Sequence, residues 1–191
     1  MKLSHLCLVS ILFASSLFAK DFDNGNFAEE RKDWQGDGKI VYLKPDGTTS
    51  PTKSADTTPV MEISLSKTQP RELTQKFTTA EGTTALNVEV VYKGSADYKL
   101  NEKSTKFSKD ITWGPGGPSY WTGFVTPKVD MFVRLDQPGG YIYYLAKVTP
   151  GGDWKTLRCK MDIGEKKDVK FCIVTAPGEG SLFIKSISVT K

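Results

Sequence analysis

The sequence predicts an all-β protein built as an antiparallel β-sandwich. Three observations carry this prediction. Apolar and polar residues alternate with period two along several runs. Proline-glycine turn signals separate those runs at short intervals. No long stretch carries the apolar spacing of an amphipathic helix.

The runs follow in order. A first strand is predicted near residues 38–43. Met61, Ile63 and Leu65 then alternate with Glu62, Ser64 and Ser66, and a further strand is predicted near 71–78. Leu86, Val88, Val90 and Tyr92 alternate with Asn87, Glu89, Val91 and Lys93. Val129, Met131, Val133 and Leu135 alternate with Asp130, Phe132, Arg134 and Asp136. Each run is half apolar and half polar, as a sheet with one buried face requires. Strands near 140–148, 154–162, 168–175 and 181–190 complete the set. The turns between them are Pro45-Asp46-Gly47, Pro138-Gly139-Gly140, Pro150-Gly151-Gly152 and Pro177-Gly178. Ala28 to Lys32 is predicted to form a helical turn. Residues 44–59 form a polar surface loop. Residues 94–119 form a longer excursion with one strand near Tyr98 to Phe107.

The first 19 residues read as a removable secretory signal. Lys2 is the basic n-region, Leu6 to Phe13 the apolar heart, and Ala19 the last residue before the cut. The organisation expected is therefore a signal peptide over 1–19 and one sandwich domain over 20–191, secreted or held in the periplasm or cell envelope. The apolar run is too short to span a bilayer, and no later run is long enough. The signal also carries the chain's one histidine, His5, and one of its three cysteines, Cys7. Catalysis by Ser-His-Asp or Cys-His and histidine-ligated metals are thereby excluded from the mature chain. The net charge is only +4, and Lys2 supplies part of it. Basic residues are spread along the chain, so no nucleic-acid partner is expected.

Cys159 and Cys172 would meet an oxidising compartment after export. A hairpin centred on Glu165-Lys166 would place them opposite each other and predicts a disulfide. The facing pattern argues the other way. Cys159 shares a face with Leu157 and Met161, whereas Cys172 points away from Val169, Phe171 and Ile173. The alternative is two buried thiols.

The two ends of the chain carry a family resemblance. Asp23-Asn24-Gly25-Asn26-Phe27, followed by Asp33-Trp34-Gln35-Gly36-Asp37-Gly38, resembles the opening of galactose-binding-like jelly-roll domains. These include the carbohydrate-binding modules of families four, nine and twenty-two. Asp153-Trp154-Lys155, Gly178-Glu179-Gly180 and Leu182 to Val189 resemble the last strands of the same group. The resemblance implies a jelly-roll sandwich that binds glycan without catalysis, and it implies that Trp34 and Trp154 pack the sandwich ends. Many members hold a structural calcium ion between the opening and the closing strand. Here Ala28 follows the phenylalanine, and Lys185 and Ser186 stand in the closing strand. An ammonium cannot ligate calcium, so no metal and no cofactor are expected.

A sugar is bound by flat aromatics under its C–H face and by charged or amide groups at its hydroxyls. Trp113, Tyr120 and Trp121 flank a Gly-Pro-Gly-Gly loop and are the first candidates. Phe132 and Arg134, on the polar side of their strand, and Tyr141 and Tyr143, on one side of the next, form a second group. The plain alternatives are tryptophans that cap the core and aromatic pairs that only stabilise a sheet. Lys99, Lys103, Lys106 and Lys109 would favour acidic polysaccharides, or else are a solvated basic loop.

The leading expectation is thus a secreted, non-catalytic carbohydrate-binding domain whose partner is a polysaccharide or glycan. The alternative is an adhesion or protein-interaction sandwich at the cell surface. A glycoside hydrolase or polysaccharide lyase is the minor reading. It would draw its two carboxyls from Asp33, Asp37, Glu62, Glu89, Asp130, Asp136 and Asp153.

Overall fold

The structure is a computed structural model, and it describes residues 22–101, 130–165 and 168–191. The strands of these residues run β1 (Gln35–Gly36), β2 (Lys39–Leu43), β3 (Thr49–Ser50), β4 (Thr58–Ser64), β5 (Arg71–Thr78), β6 (Ala85–Gly94) and β7 (Lys99–Leu100). They continue with β8 (Met131–Gln137), β9 (Gly140–Ala146), β10 (Lys155–Asp162), β11 (Asp168–Thr175), β12 (Gly178–Glu179) and β13 (Ser181–Thr190). All pairings are antiparallel. A five-stranded sheet has the order β1-β5-β11-β8-β9, and a six-stranded sheet the order β10-β6-β13-β4-β2-β3. The short β12 and β7 pair with each other. This is the antiparallel β-sandwich that the alternation predicts, in the jelly-roll form that the resemblance implies.

The inward faces follow the period-two pattern. Leu73, Phe171, Ile173, Val133 and Leu135 of the five-stranded sheet meet Met61, Ile63, Val90, Leu182 and Ile184 of the six-stranded sheet, all fully buried. Along β13 the inward residues Leu182, Ile184 and Ile187 break the alternation once. The register shifts between Ile184 and Ser186, a β-bulge at Lys185. The bulge lets Ile184 and Ile187 both reach the core. Tyr144 at the edge of the five-stranded sheet donates its hydroxyl to the Lys160 carbonyl at 2.8 Å, linking β9 to β10.

The opening segment packs one end of the sandwich. Trp34 is buried among Phe22, Phe27 and Phe171, with ring centroids 5.7, 5.6 and 6.1 Å away. Residues 28–32 do not form the helical turn expected. Successive turns close Phe27 N–H on Asn24 O and Glu30 N–H on Phe27 O, but Asn24, Phe27, Glu30 and Asp33 all have positive φ. A left-handed residue at every third position stops helix propagation. The Asn24 amide holds the turns together. Its Nδ2 donates to the Glu30 and Lys32 carbonyls, and its Oδ1 accepts from Glu29 N–H, each at 3.0 Å.

Cys159 and Cys172 do not form the disulfide expected from a 165–166 hairpin. β10 pairs with β6 in one sheet, and β11 pairs with β5 and β8 in the other. Both cysteines are free. Cys159 packs toward the main core, and Cys172 lies on the far side of the five-stranded sheet with Phe132 and Val174. Burial pushes the Cys159 thiol up to about 11.

Asp130, just before β8, is a buried carboxylate whose Oδ2 accepts from Val148 N–H at 2.6 Å. Burial raises its pKa above the ordinary aspartate value, outweighing the lowering by the Val148 bond. A raised folded-state pKa gives stability that is fully present below the unfolded value and lost as pH rises through the folded value. The Asp130→Asn variant keeps an acceptor for Val148 and removes the titration. Urea unfolding at about pH 4 and pH 7 is expected to show wild type losing stability relative to the variant as pH rises. A constant difference between the two would refute the assignment.

Candidate functional site

The outer face of the five-stranded sheet is a grid set by strand register. Across β5, β11, β8 and β9, Thr74 pairs with Cys172, Cys172 with Arg134, and Arg134 with Tyr143. The row on one side reads Lys76, Lys170, Asp136 and Tyr141. The row on the other reads Glu72, Val174, Phe132 and Leu145. Period-two alternation sends all twelve side chains to one side.

The centre of the grid is a charged network. The Arg134 guanidinium lies 3.1 Å from Glu72 Oε1 and 2.5 Å from Asp136 Oδ1. Lys170 Nζ lies 3.0 Å from Asp136 and 3.6 Å from Glu72. Two cations thus neutralise two carboxylates. Cys172 sits among them, fully buried, accepting from Arg134 Nη2 and donating to Asp136 Oδ2, both at 3.5 Å. Burial pushes the Cys172 thiol far above the ordinary cysteine range, against the lowering pull of Arg134. The Glu72, Asp136 and Cys172 ligand atoms lie within 4.8 Å of one another. As a metal-ligand set they fit poorly: Arg134 and Lys170 already occupy the carboxylates, and two cations stand where a metal ion would be repelled.

Beside this network runs an aromatic strip. Phe132 and Tyr143 meet edge to face at 6.2 Å, and Tyr141 and Tyr143 lie tilted at 6.1 Å. Tyr141 and Tyr143 are half-buried. A depression of about 690 Å³ is lined by Lys76, Lys170, Asp136, Gln137 and Asp168; Asp136 is the strand partner of Tyr141.

Among the residues singled out in the sequence, Phe132, Arg134, Tyr141 and Tyr143 are therefore brought together on one surface. Phe132 and Arg134 face outward but are buried, only 5 % and 8 % exposed. Trp113, Tyr120 and Trp121 lie outside the described residues. The sequence reading missed Glu72, Lys76, Lys170 and Cys172, which reach the surface from strands distant in the chain. The alternation of β5 and β11 already put them on the outward side; only their neighbours were hidden. Trp34 is a core residue as expected, whereas Trp154 is half-buried on the outer surface of the six-stranded sheet. The described residues contain no helix long and apolar enough to cross a membrane.

No protein-family model and no curated protein matches the sequence. Solved structures do resemble it. TmCBM61, determined with β-1,4-galactotriose, superposes with a TM-score of 0.55 at 14 % identity over 90 % of this chain and 98 % of its own. A structure described as CBM4 gives 0.53 at 11 % identity over 89 % and 99 %. A family 16 carbohydrate-binding module gives 0.52 at 11 % identity over 88 % and 98 %. The chain has the jelly-roll β-sandwich fold seen in these carbohydrate-binding modules.

Proposed function

We propose that the chain is an exported, non-catalytic carbohydrate-binding domain that holds a glycan on the outer face of its five-stranded sheet. One observation carries this reading: the outward row that ends in Tyr141 also holds Asp136, Lys170 and Lys76, three of the residues that line the depression. Tyr141 and Tyr143 supply apolar faces for the C–H side of a sugar. Lys76, Asp136 and Gln137 supply donors and acceptors for its hydroxyls. The Arg134 network neutralises its own charges, so the floor is rigid and suits an uncharged saccharide. The likeness to modules such as TmCBM61, solved with a galactotriose, supports the same class of ligand. Trp113, Tyr120 and Trp121 belong to the proposal as candidates for further stacking contacts. Export rests on the signal-like residues 1–19.

A lone module of this kind is expected to bind with a dissociation constant on the order of 10 µM to 1 mM. The test is binding to a panel of insoluble and soluble neutral polysaccharides. Wild type is compared with Tyr143→Ala, Lys170→Ala and Trp113→Ala/Trp121→Ala, each first checked for an intact thermal transition. A loss of about tenfold in Tyr143→Ala is expected, from one stacking contact worth roughly 1–1.5 kcal/mol. Wild type that binds no glycan would refute the reading and favour an adhesion role. Reducing-end release from any member of the panel would refute the non-catalytic part.

A further inference from the structure

The opposite side of the sandwich carries a second, differently charged surface. Lys155 pairs with Tyr92, so Trp154 stands one step earlier, opposite Lys93. Lys93 pairs with Phe183 on β13, and the row continues to Glu62 and Lys39. Trp154, Lys93 and Phe183 are half-buried. The bulge between Ile184 and Ser186 inserts Lys185 beside this row and leaves it exposed. Lys93 Nζ lies 5.1 Å and Lys185 Nζ 5.9 Å from the centroid of the Trp154 ring.

The charges here are not balanced as on the other face. Lys39 is paired with Glu62 at 3.4 Å and Arg158 with Glu89 at 2.6 Å. Neither Lys93 nor Lys185 has a carboxylate within ion-pair distance among the described residues. Two ammoniums are thus held against one indole, with no carboxylate of the described residues paired to either.

We propose that Trp154, Lys93 and Lys185 form a second contact surface that takes the acidic group of a polysaccharide, a uronate carboxylate or a sulfate ester. The choice of a glycan over other polyanions rests on the function proposed above. The geometry supplies the rest. The indole and the aliphatic lysine stems make an apolar floor, and the ammoniums stand at its rim. At an exposed position a cation–π contact and an ion pair are of similar small strength, so the ring does not lock the ammoniums in place. The ammoniums at the rim then meet an arriving carboxylate or sulfate, and the indole and lysine stems take the apolar face of the sugar. The bulge matters because it delivers a second cation without costing β13 an inward residue.

The experiment measures retention of the protein on polygalacturonate, on a sulfated glycosaminoglycan and on a neutral galactan at low and moderate salt. Lys93→Gln/Lys185→Gln is compared with Lys44→Gln/Lys53→Gln, which removes the same charge from the exposed loop near β3. The first pair is expected to weaken binding to an acidic glycan about fivefold and to flatten its salt dependence, with the second near wild type. Loss only on polygalacturonate assigns a uronate, and loss only on the sulfated chain assigns a sulfate. Equal losses in the two pairs, or no retention on either acidic glycan, would overturn the proposal. Lys170→Ala separates the two surfaces. It is expected to reduce neutral-galactan binding alone, so failure on galactan with acidic binding intact sinks only the other face.

Discussion

Replacing Trp34 with alanine is expected to cost about 4 kcal/mol of stability. For a domain of this size that lowers the melting temperature by about 10 °C. The ring is 4 % exposed and meets Phe22 and Phe171 edge to face and Phe27 at a tilt. Its removal leaves a cavity bounded by rigid aromatics, which relax poorly. It also removes the indole N–H that donates to the Asn24 carbonyl at 3.0 Å. Asn24 is the residue whose amide closes the turns of the opening segment, so the loss spreads through residues 24–34. Trp34→Phe keeps most of the packing and loses only the hydrogen bond, and is expected to cost roughly half as much. Thermal unfolding followed by circular dichroism checks both. A Trp34→Ala protein melting within about 2 °C of wild type would contradict this account of the sandwich end.

Gly25→Ala is expected to be the next most damaging single change, at about 3 kcal/mol or more. A Cβ at residue 25 would stand 1.9 Å from the Ile187 carbonyl oxygen and 3.1 Å from Phe22 Cε1. The first neighbour is backbone and cannot rotate away. The Gly25 carbonyl accepts from Ile187 N–H at 2.8 Å, so the opening segment lies directly against β13. Alanine therefore forces that hydrogen bond apart and lifts Phe22 from the aromatic cluster. Gly25→Ala and Trp34→Ala disrupt the same segment, and their costs are expected to sum to less than additivity in urea unfolding. Strict additivity would mean that the segment does not act as a unit.

The two proposed contact surfaces divide the binding chemistry between the faces of the sandwich. On one, Arg134 and Lys170 are consumed by Glu72 and Asp136, and the proposed ligand groups are tyrosines and polar rims. On the other, Lys93 and Lys185 stand over an indole without carboxylate partners among the described residues. A neutral and an acidic glycan are therefore expected to bind without competing, and the Lys170 and Lys93/Lys185 variants distinguish them.

Much of this protein is written locally. The alternation in Leu86 to Lys93, Met131 to Asp136 and Asp168 to Thr175 is a period-two signal readable within each strand, and it places the core residues correctly. Even the Lys185 bulge is latent in the spacing of Leu182, Ile184, Ile187 and Val189. Asn24-Gly25 and Trp34 mark the end of the sandwich through the family resemblance rather than through any periodicity. What the residues by themselves did not determine is which strands become neighbours. Cys159 and Cys172 lie on strands adjacent in sequence, but the connection crosses between sheets and separates them. Phe132 and Arg134 point outward as their pattern requires, yet Cys172, Val174, Tyr143 and Glu72 decide that they are buried and paired. Trp154 lies one residue before β10, and its exposure depends on Lys93 and Lys185 arriving from β6 and β13. Side-chain direction is a property of one strand, whereas burial and ion pairing belong to a surface assembled from several, and only the tertiary fold assembles it.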